Sequence, residues 1–458
     1  MTRAPIHGLR GLVRAGGLLA ALACGCGPPP PSLPVPERVV ILVLDSLHAR
    51  HLGCYGGPEG LTPNIDGAAA GGLRFERAFS NHTWTLPSTT SLMTGQLQER
   101  HGVVTSQHVV PERAECLAEL FRRAGWQTAS FVQMIYASEV YGLGQGFDET
   151  HNFGFRDGPG RDLMRPRVQD WMEARQGERY LLYLHFRRPH KVYDPTALSL
   201  SRLDQGCPLA SGVRDPYLSS AESSGFLELP PEERAHVEHL YRANLADADR
   251  NVGKIVKRCL DDPGTLLVIT SDHGEGLGEH GYYGHGDVLF AEGIDIPLII
   301  HGPGVRAGVD PDPACTVDVL PTLLEACGIA PPAGVPLDGR SLVARLVPRG
   351  AGAEEPEPRE PIPVSSRYKP NGRVTLGYVA GELKLVVDPD GHARLFDRVL
   401  DPADGADLAA QRRELAGALR ERAEAYRAAH EGIATRGAAP PALSPRDVQD
   451  LRDLGYAE

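Results

Sequence analysis

Two continuous runs of apolar and β-branched residues, each followed at once by acidic residues, constrain this chain more than any other feature. Val39-Val40-Ile41-Leu42-Val43-Leu44 leads into Asp45-Ser46, and Thr265-Leu266-Leu267-Val268-Ile269-Thr270 leads through Ser271 into Asp272-His273-Gly274-Glu275. A run without polar alternation reads as a strand buried on both faces, and such strands belong to parallel sheets covered by helices. Residues 180–185 form a third run and 296–300 a fourth, with helical stretches over 115–124 and 235–259 among them. The expected fold is therefore α/β, a mostly parallel sheet with helices on both faces. In such sheets the carboxyl ends of the strands converge on one crevice, so Asp45 can meet Asp272 and His273. An isolated Asp after a strand is more often a turn or cap than a ligand; only the combination carries weight.

At 458 residues the chain is long enough for one large domain with a smaller appendage. A net charge of -12 argues against a nucleic-acid partner, which would require a basic surface. No apolar stretch of about 18 residues exists, so nothing beyond the N-terminus is expected to span a bilayer. The N-terminus reads as a targeting segment over residues 1–23: Arg3, Arg10 and Arg14 precede the short apolar run Leu18-Leu19-Ala20-Ala21-Leu22-Ala23. Ala21-Leu22-Ala23-Cys24 resembles a bacterial lipobox, with Cys24 as the lipidated residue and Cys26 as a competing acceptor. A plain cleaved signal is the alternative. The expected location is the bacterial cell envelope, lipid-anchored and facing the periplasm, with residues 24–37 as a Pro-rich tether. The other six cysteines are too sparse for a disulfide framework, and several sit in apolar runs as small buried hydrophobes.

Further along, residues 203–231 lack periodicity and are expected to form a long excursion on the substrate side. Residues 346–361 read as a charged, Pro-rich linker after a catalytic region over 38–345. Beyond it, strand candidates at 373–378, 382–387 and 393–397 suggest a small antiparallel C-terminal subdomain over 362–458, ending in an amphipathic helix over 407–430.

The stretch Thr85-Leu86-Pro87-Ser88-Thr89-Thr90-Ser91-Leu92-Met93-Thr94-Gly95 resembles the sulfatase signature Cys-x-Pro-Ser-Arg-x-x-Leu-x-Thr-Gly, with Thr85 at the position of the modified cysteine and Thr89 at that of the arginine. Leu44-Asp45-Ser46-Leu47, Gly53-Cys54-Tyr55-Gly56, Thr62-Pro63-Asn64-Ile65-Asp66, His101-Gly102-Val103 and Ser271-Asp272-His273-Gly274-Glu275 extend that resemblance. It implies an alkaline-phosphatase-like core of the sulfatase family. By the same resemblance Asp45, Asp272 and His273 are metal ligands, Thr85 is a nucleophile that also touches the metal, and His190 and His285 contact the anionic group of the substrate. The implied cofactor is one divalent ion among Mn, Mg, Zn and Ca, with Ca the least natural beside an imidazole.

Three departures qualify the resemblance. Formylglycine forms from Cys or Ser and not from Thr, the second of the usual paired aspartates is Ser46, and the Lys and His that usually follow another strand are absent from Phe131-Val132-Gln133-Met134. The expected activity is thus hydrolysis or transfer of phosphate-type or sulfate esters through Thr85. The alternatives are a sulfuric ester hydrolase without formylglycine and a catalytically silent envelope binding protein. The expected partner is a small-molecule, glycan or lipid ester.

Overall fold

The computed structural model describes residues 32–154, 163–203, 225–348, 359–366, 374–429 and 442–453. The lipobox, the tether up to Pro31, Cys207, most of the 203–231 excursion and most of the 346–361 linker lie outside the described residues.

An eight-stranded sheet runs in the order Gly308–Asp310, Leu73–Phe75, Leu298–His301, Thr265–Thr270, Arg38–Leu44, Tyr180–Phe186, Gln127–Val132, Glu149–Asn152. Arg38–Leu44 lies at its centre, parallel to both neighbours, with Val43 level with His185 on one side and Thr270 on the other. The run at 296–300 does enter this sheet as Leu298–His301, but antiparallel to Thr265–Thr270. Ile296 itself pairs outside it, donating its backbone N–H to the Ala78 carbonyl at 3.1 Å.

The unbroken apolar runs are explained by the two faces they fill. Val39, Ile41, Val43, Leu181, Tyr183, Leu266 and Val268 belong to one core cluster, while Val40, Leu42, Leu44, Leu182, Leu184, Leu267 and Ile269 belong to another. Burial of this kind contributes roughly 1.5–3 kcal/mol per large side chain. The Pro231–Asp261 helix covers the second face and supplies Leu245, Val252, Ile255 and Val256 to its cluster. The Thr85–Thr94 helix covers the first face through Leu86, Leu92 and Met93.

A separate four-stranded antiparallel sheet follows: Ile362–Ser366, Thr375–Ala380, Leu383–Val387 and Ala393–Asp397. The first of these strands has no counterpart among the sequence candidates. The helix Arg413–Ala429 packs on this sheet, with Ala416, Leu419 and Ala423 buried against Tyr378 and Leu395. Among the described cysteines, Cys116, Cys259, Cys315 and Cys327 are buried free thiols, and Cys54 is half-buried.

Candidate active site

The site begins where the two central strands stop. Asp45 and Asp272 follow adjacent parallel strands, so both carboxylates emerge at the same sheet end, and both are buried. Ser46 adopts a left-handed backbone (φ 59°), a conformation that costs a non-glycine residue on the order of 1–2 kcal/mol. Three hydrogen bonds hold it: its N–H to Asp272 Oδ1 (3.3 Å), its Oγ to Asp45 Oδ1 (3.1 Å), and the Tyr241 hydroxyl to its carbonyl (2.8 Å). The serine in place of the usual second aspartate thus donates to the first. Gly274 is required for close approach, because a Cβ there would lie 2.1 Å from the Glu292 carbonyl oxygen.

Thr85 is fully buried and is the first residue of its helix, two positions before Pro87. Its Oγ1 lies 3.5 Å from Asp45 Oδ2 and 3.4 Å from His273 Nε2. The hydroxyl therefore sits where the unpaired N–H groups of a helix start favour negative charge.

His273 is oriented for ligation. Its Nδ1 donates to the Gly274 carbonyl at 2.8 Å, which leaves the Nε2 lone pair facing Asp45 Oδ1 (3.6 Å) and Asp272 Oδ2 (3.5 Å). Burial pulls this imidazole down, but Asp272 and Asp45 outweigh it, and its pKa is raised. Asp272 Oδ2 is buried and makes no hydrogen bond. An unsatisfied carboxylate oxygen, an imidazole nitrogen with its lone pair facing it and a second buried carboxylate together fit a divalent cation.

Sequence reasoning missed His185. It lies inside an apolar run, and only strand register brings it beside Asp45, with Nε2 3.0 Å from Asp45 Oδ2 and 3.8 Å from Asp272 Oδ2. The Tyr183 hydroxyl holds its Nδ1 at 2.8 Å. Ligand atoms of Asp45, His185 and Asp272 all lie within 4.8 Å of one another, so this trio could also hold the ion. The readable signal is a histidine at the carboxyl end of a strand otherwise free of polar residues.

His190 and His285 join the same cluster. Both are buried rather than exposed on loops, with ring centroids 4.9 Å apart, and His285 lies 4.4 Å from His273. Burial holds both imidazoles well below their ordinary range, so they are neutral at pH 7. Glu275 Oε1 fixes His285 through Nδ1 at 2.7 Å. Of the cations in the segment around His190, Arg187 and Arg188 bond to Asp194, while Lys191 is almost fully buried and held down by that burial. Gln133, at the departure point, accepts from the Arg187 backbone N–H at 3.1 Å.

The sulfatase family profile matches residues 37–329. N-acetylgalactosamine-6-sulfatase of Canis lupus familiaris is 27% identical over 371 residues, covering 72% of this chain and 69% of that protein. Choline-sulfatase of Rhizobium meliloti is 25% identical over 444 residues, covering 81% and 82%. Among solved structures, phosphonate monoester hydrolase of Agrobacterium radiobacter superimposes with a TM-score of 0.69 at 18% identity, covering 86% of this chain and 96% of that one.

Proposed function

The chain belongs to the sulfatase family and is an esterase of the alkaline phosphatase superfamily, and from that premise we propose that it cleaves phosphate-type esters through Thr85 with the help of one divalent metal. The carrying observation is the convergence of Thr85 Oγ1 on Asp45 and His273, beside an Asp272 oxygen that lacks a hydrogen bond. An ion held by Asp45, Asp272 and His273, with His185 as a further donor, would acidify the Thr85 hydroxyl and offset charge on the transferred group.

The preference for phosphorus follows from what Thr85 lacks. A formylglycine hydrate has a second hydroxyl and expels sulfate by collapsing to the aldehyde. A threonine ester has no such exit and must be opened by a second in-line attack. In that scheme the threonine oxygen displaces the alcohol at phosphorus, and water then cleaves the phosphothreonine. One water is consumed over the cycle, its oxygen going to the phosphate and a proton to the alcohol. His190 and His285, buried beside His273, would donate through Nε2 to the oxygens of the transferred group once the bound anion favours their protonated form.

Sulfate esters are the second reading, favoured by the sulfatases among the relatives. The test is a panel of aryl sulfate, phosphate monoester, phosphate diester and phosphonate substrates on metal-loaded wild type and Thr85→Ala. Phosphate-type turnover at least about tenfold above sulfate turnover supports the reading, a barrier difference of about 1.4 kcal/mol. Equal or better sulfate turnover, lost in Thr85→Ala, would transfer the same site to sulfate esters.

The reading includes export and lipid attachment at Cys24. Globomycin-sensitive processing lost in Cys24→Ala is expected, and a mature protein beginning at a non-cysteine residue would refute the anchor.

A further inference from the structure

Between Glu275 and His285 the chain makes a hairpin, with Gly276–Leu277 antiparallel to Tyr282–Gly284. Glu275 and His285 close one end of it beside His273, joined at 2.7 Å. Residues 278–281 form the turn at the other end, where Gly278 and Gly281 both take left-handed backbone. His280 sits in that turn, half-buried, and three contacts hold it. Its ring stacks on Phe290 with centroids 3.9 Å apart and planes 5° from parallel. Its Nδ1 lies 2.8 Å from Glu292 Oε1, and its Nε2 lies 3.3 Å from the Asp404 carbonyl oxygen. Both nitrogens therefore face oxygens that accept, which a neutral imidazole cannot satisfy because it carries one N–H. The imidazolium satisfies both, and the face of the Phe290 ring favours its charge.

The charges around His280 agree with that form. Asp287, Asp388, Asp404 and Asp407 line the cleft it borders, against Arg394. On its own turn Glu279 bonds to Arg50, and on the C-terminal sheet Lys384 is committed to Asp404 and to the Leu289 carbonyl. Burial alone would lower the imidazole pKa, but Glu292 and Asp404 outweigh it, and the value lies above the ordinary 6.5. The two partners also matter for what they carry. Glu292 belongs to the short helix Ala291–Ile294, where the Gly293 carbonyl accepts the Gly274 N–H at 3.0 Å, next to His273. Asp404 holds a left-handed backbone (φ 55°) and accepts the Ala291 N–H at 2.7 Å. His280 thus ties the hairpin both to the helix behind Gly274 and to the C-terminal subdomain.

We infer that His280 is a positioning residue that works as an imidazolium clamp, holding the hairpin tip between Glu292 and the Asp404 carbonyl and thereby holding His285 at the site. The carboxylate keeps the Nδ1 proton more strongly than a carbonyl at 3.3 Å keeps the Nε2 proton. Deprotonation therefore breaks the link to Asp404 first and frees the hairpin from the C-terminal subdomain. The clamp is complete below the ordinary pKa of 6.5 and is lost as pH rises through the higher folded value. Its effect on turnover rests on the esterase reading; the clamp itself does not.

Titration, hydrogen exchange and turnover test it separately, on the full chain loaded with Mg²⁺. With ring-labelled histidine, the NMR signal that disappears in His280→Gln is expected to titrate above 6.5, and at lower pH in Glu292→Gln than in wild type. Hydrogen exchange is corrected for the intrinsic dependence of the rate on pH. Protection of residues 276–285 should fall at least about tenfold between about pH 6 and about pH 9 in wild type, a typical value for one charge-assisted hydrogen bond. His280→Gln cannot take up the second proton and should lack that fall. In turnover of an aryl phosphate ester, the loss of kcat/KM over the same range should be shallower in His280→Gln. Titration of His280 at or below 6.5, an unmoved midpoint in Glu292→Gln, or an equal fall in protection in His280→Gln overturns the clamp. Should His280→Gln fail to fold, the wild-type and Glu292→Gln titrations decide. Absence of all ester turnover would instead remove the esterase reading, with hydrogen exchange still deciding the clamp.

Discussion

At the scale of single residues, the proposed chemistry rests on a threonine hydroxyl held between a carboxylate and an imidazole at the start of a buried helix. Thr85→Ala is expected to lower kcat by at least about 10³ with metal content nearly unchanged, whereas Thr85→Ser, which keeps the hydroxyl, should stay within about tenfold; steady-state kinetics with elemental analysis checks both. His185→Ala should weaken metal affinity at least about tenfold, by loss of either a ligand or the partner that orients Asp45, and unchanged affinity in a metal titration would exclude both roles. Asp45, Thr85, Asp272 and His273 were legible because each follows a local signature, and the structure brings all four together. His185 was not, since its position beside Asp45 depends on the pairing of two strands far apart in sequence. Nor could the sequence show that Arg187 and Arg188 bond to Asp194, because side-chain partnership is not a property of spacing.

At the scale of elements, the Thr85–Thr94 helix is buried at every position, and polar side chains behind it hold it in place. Asn81 Nδ2 donates to Ser91 Oγ (2.8 Å) and to Gln98 Oε1 (2.7 Å), Gln98 Nε2 donates to Ser365 Oγ (3.0 Å), and His101 Nε2 lies 3.1 Å from Ser91 Oγ. Burial holds His101 down to about 3, so the unfolded chain takes up its proton first, near pH 6.5. Its contribution is therefore complete above pH 6.5 and is lost as pH falls from 6.5 toward 3. About 2 kcal/mol should disappear between pH 6.5 and 5. Denaturant unfolding across that range should show a slope that is shallower in His101→Gln, and an identical slope would contradict the assignment. The exact start of this helix is not marked in the sequence, because Trp84 caps it without any side-chain hydrogen bond. The strand Ile362–Ser366 escaped notice because its identity depends on Thr375–Ala380 and on the link between Asn81 and Ser365.

At the scale of the whole molecule, the α/β plan followed from the doubly buried strands, and the family resemblance added the site. The small C-terminal sheet also shares a core with the catalytic region. Ile362, Val364, Val379, Val386 and Phe396 pack with Phe79, Leu97, Leu289, Ile294 and Val317. Truncation after residue 348 should expose that surface and yield aggregated protein; a soluble truncated protein with cooperative unfolding would show the two parts to be separable. The shared core was invisible in the sequence, where the charged stretch before Ile362 reads as a linker. It also places the C-terminal sheet against Asn81 and Gln98 behind the Thr85 helix, so the geometry of the candidate site depends on the assembled chain. The most direct measurement is peptide mapping of the metal-loaded protein, acid-quenched during turnover of an aryl phosphate monoester. The account predicts a phosphoryl group on Thr85, absent from the Thr85→Ala protein, which should also lack turnover. Undiminished turnover in Thr85→Ala, with no adduct on the wild-type peptide, would contradict it.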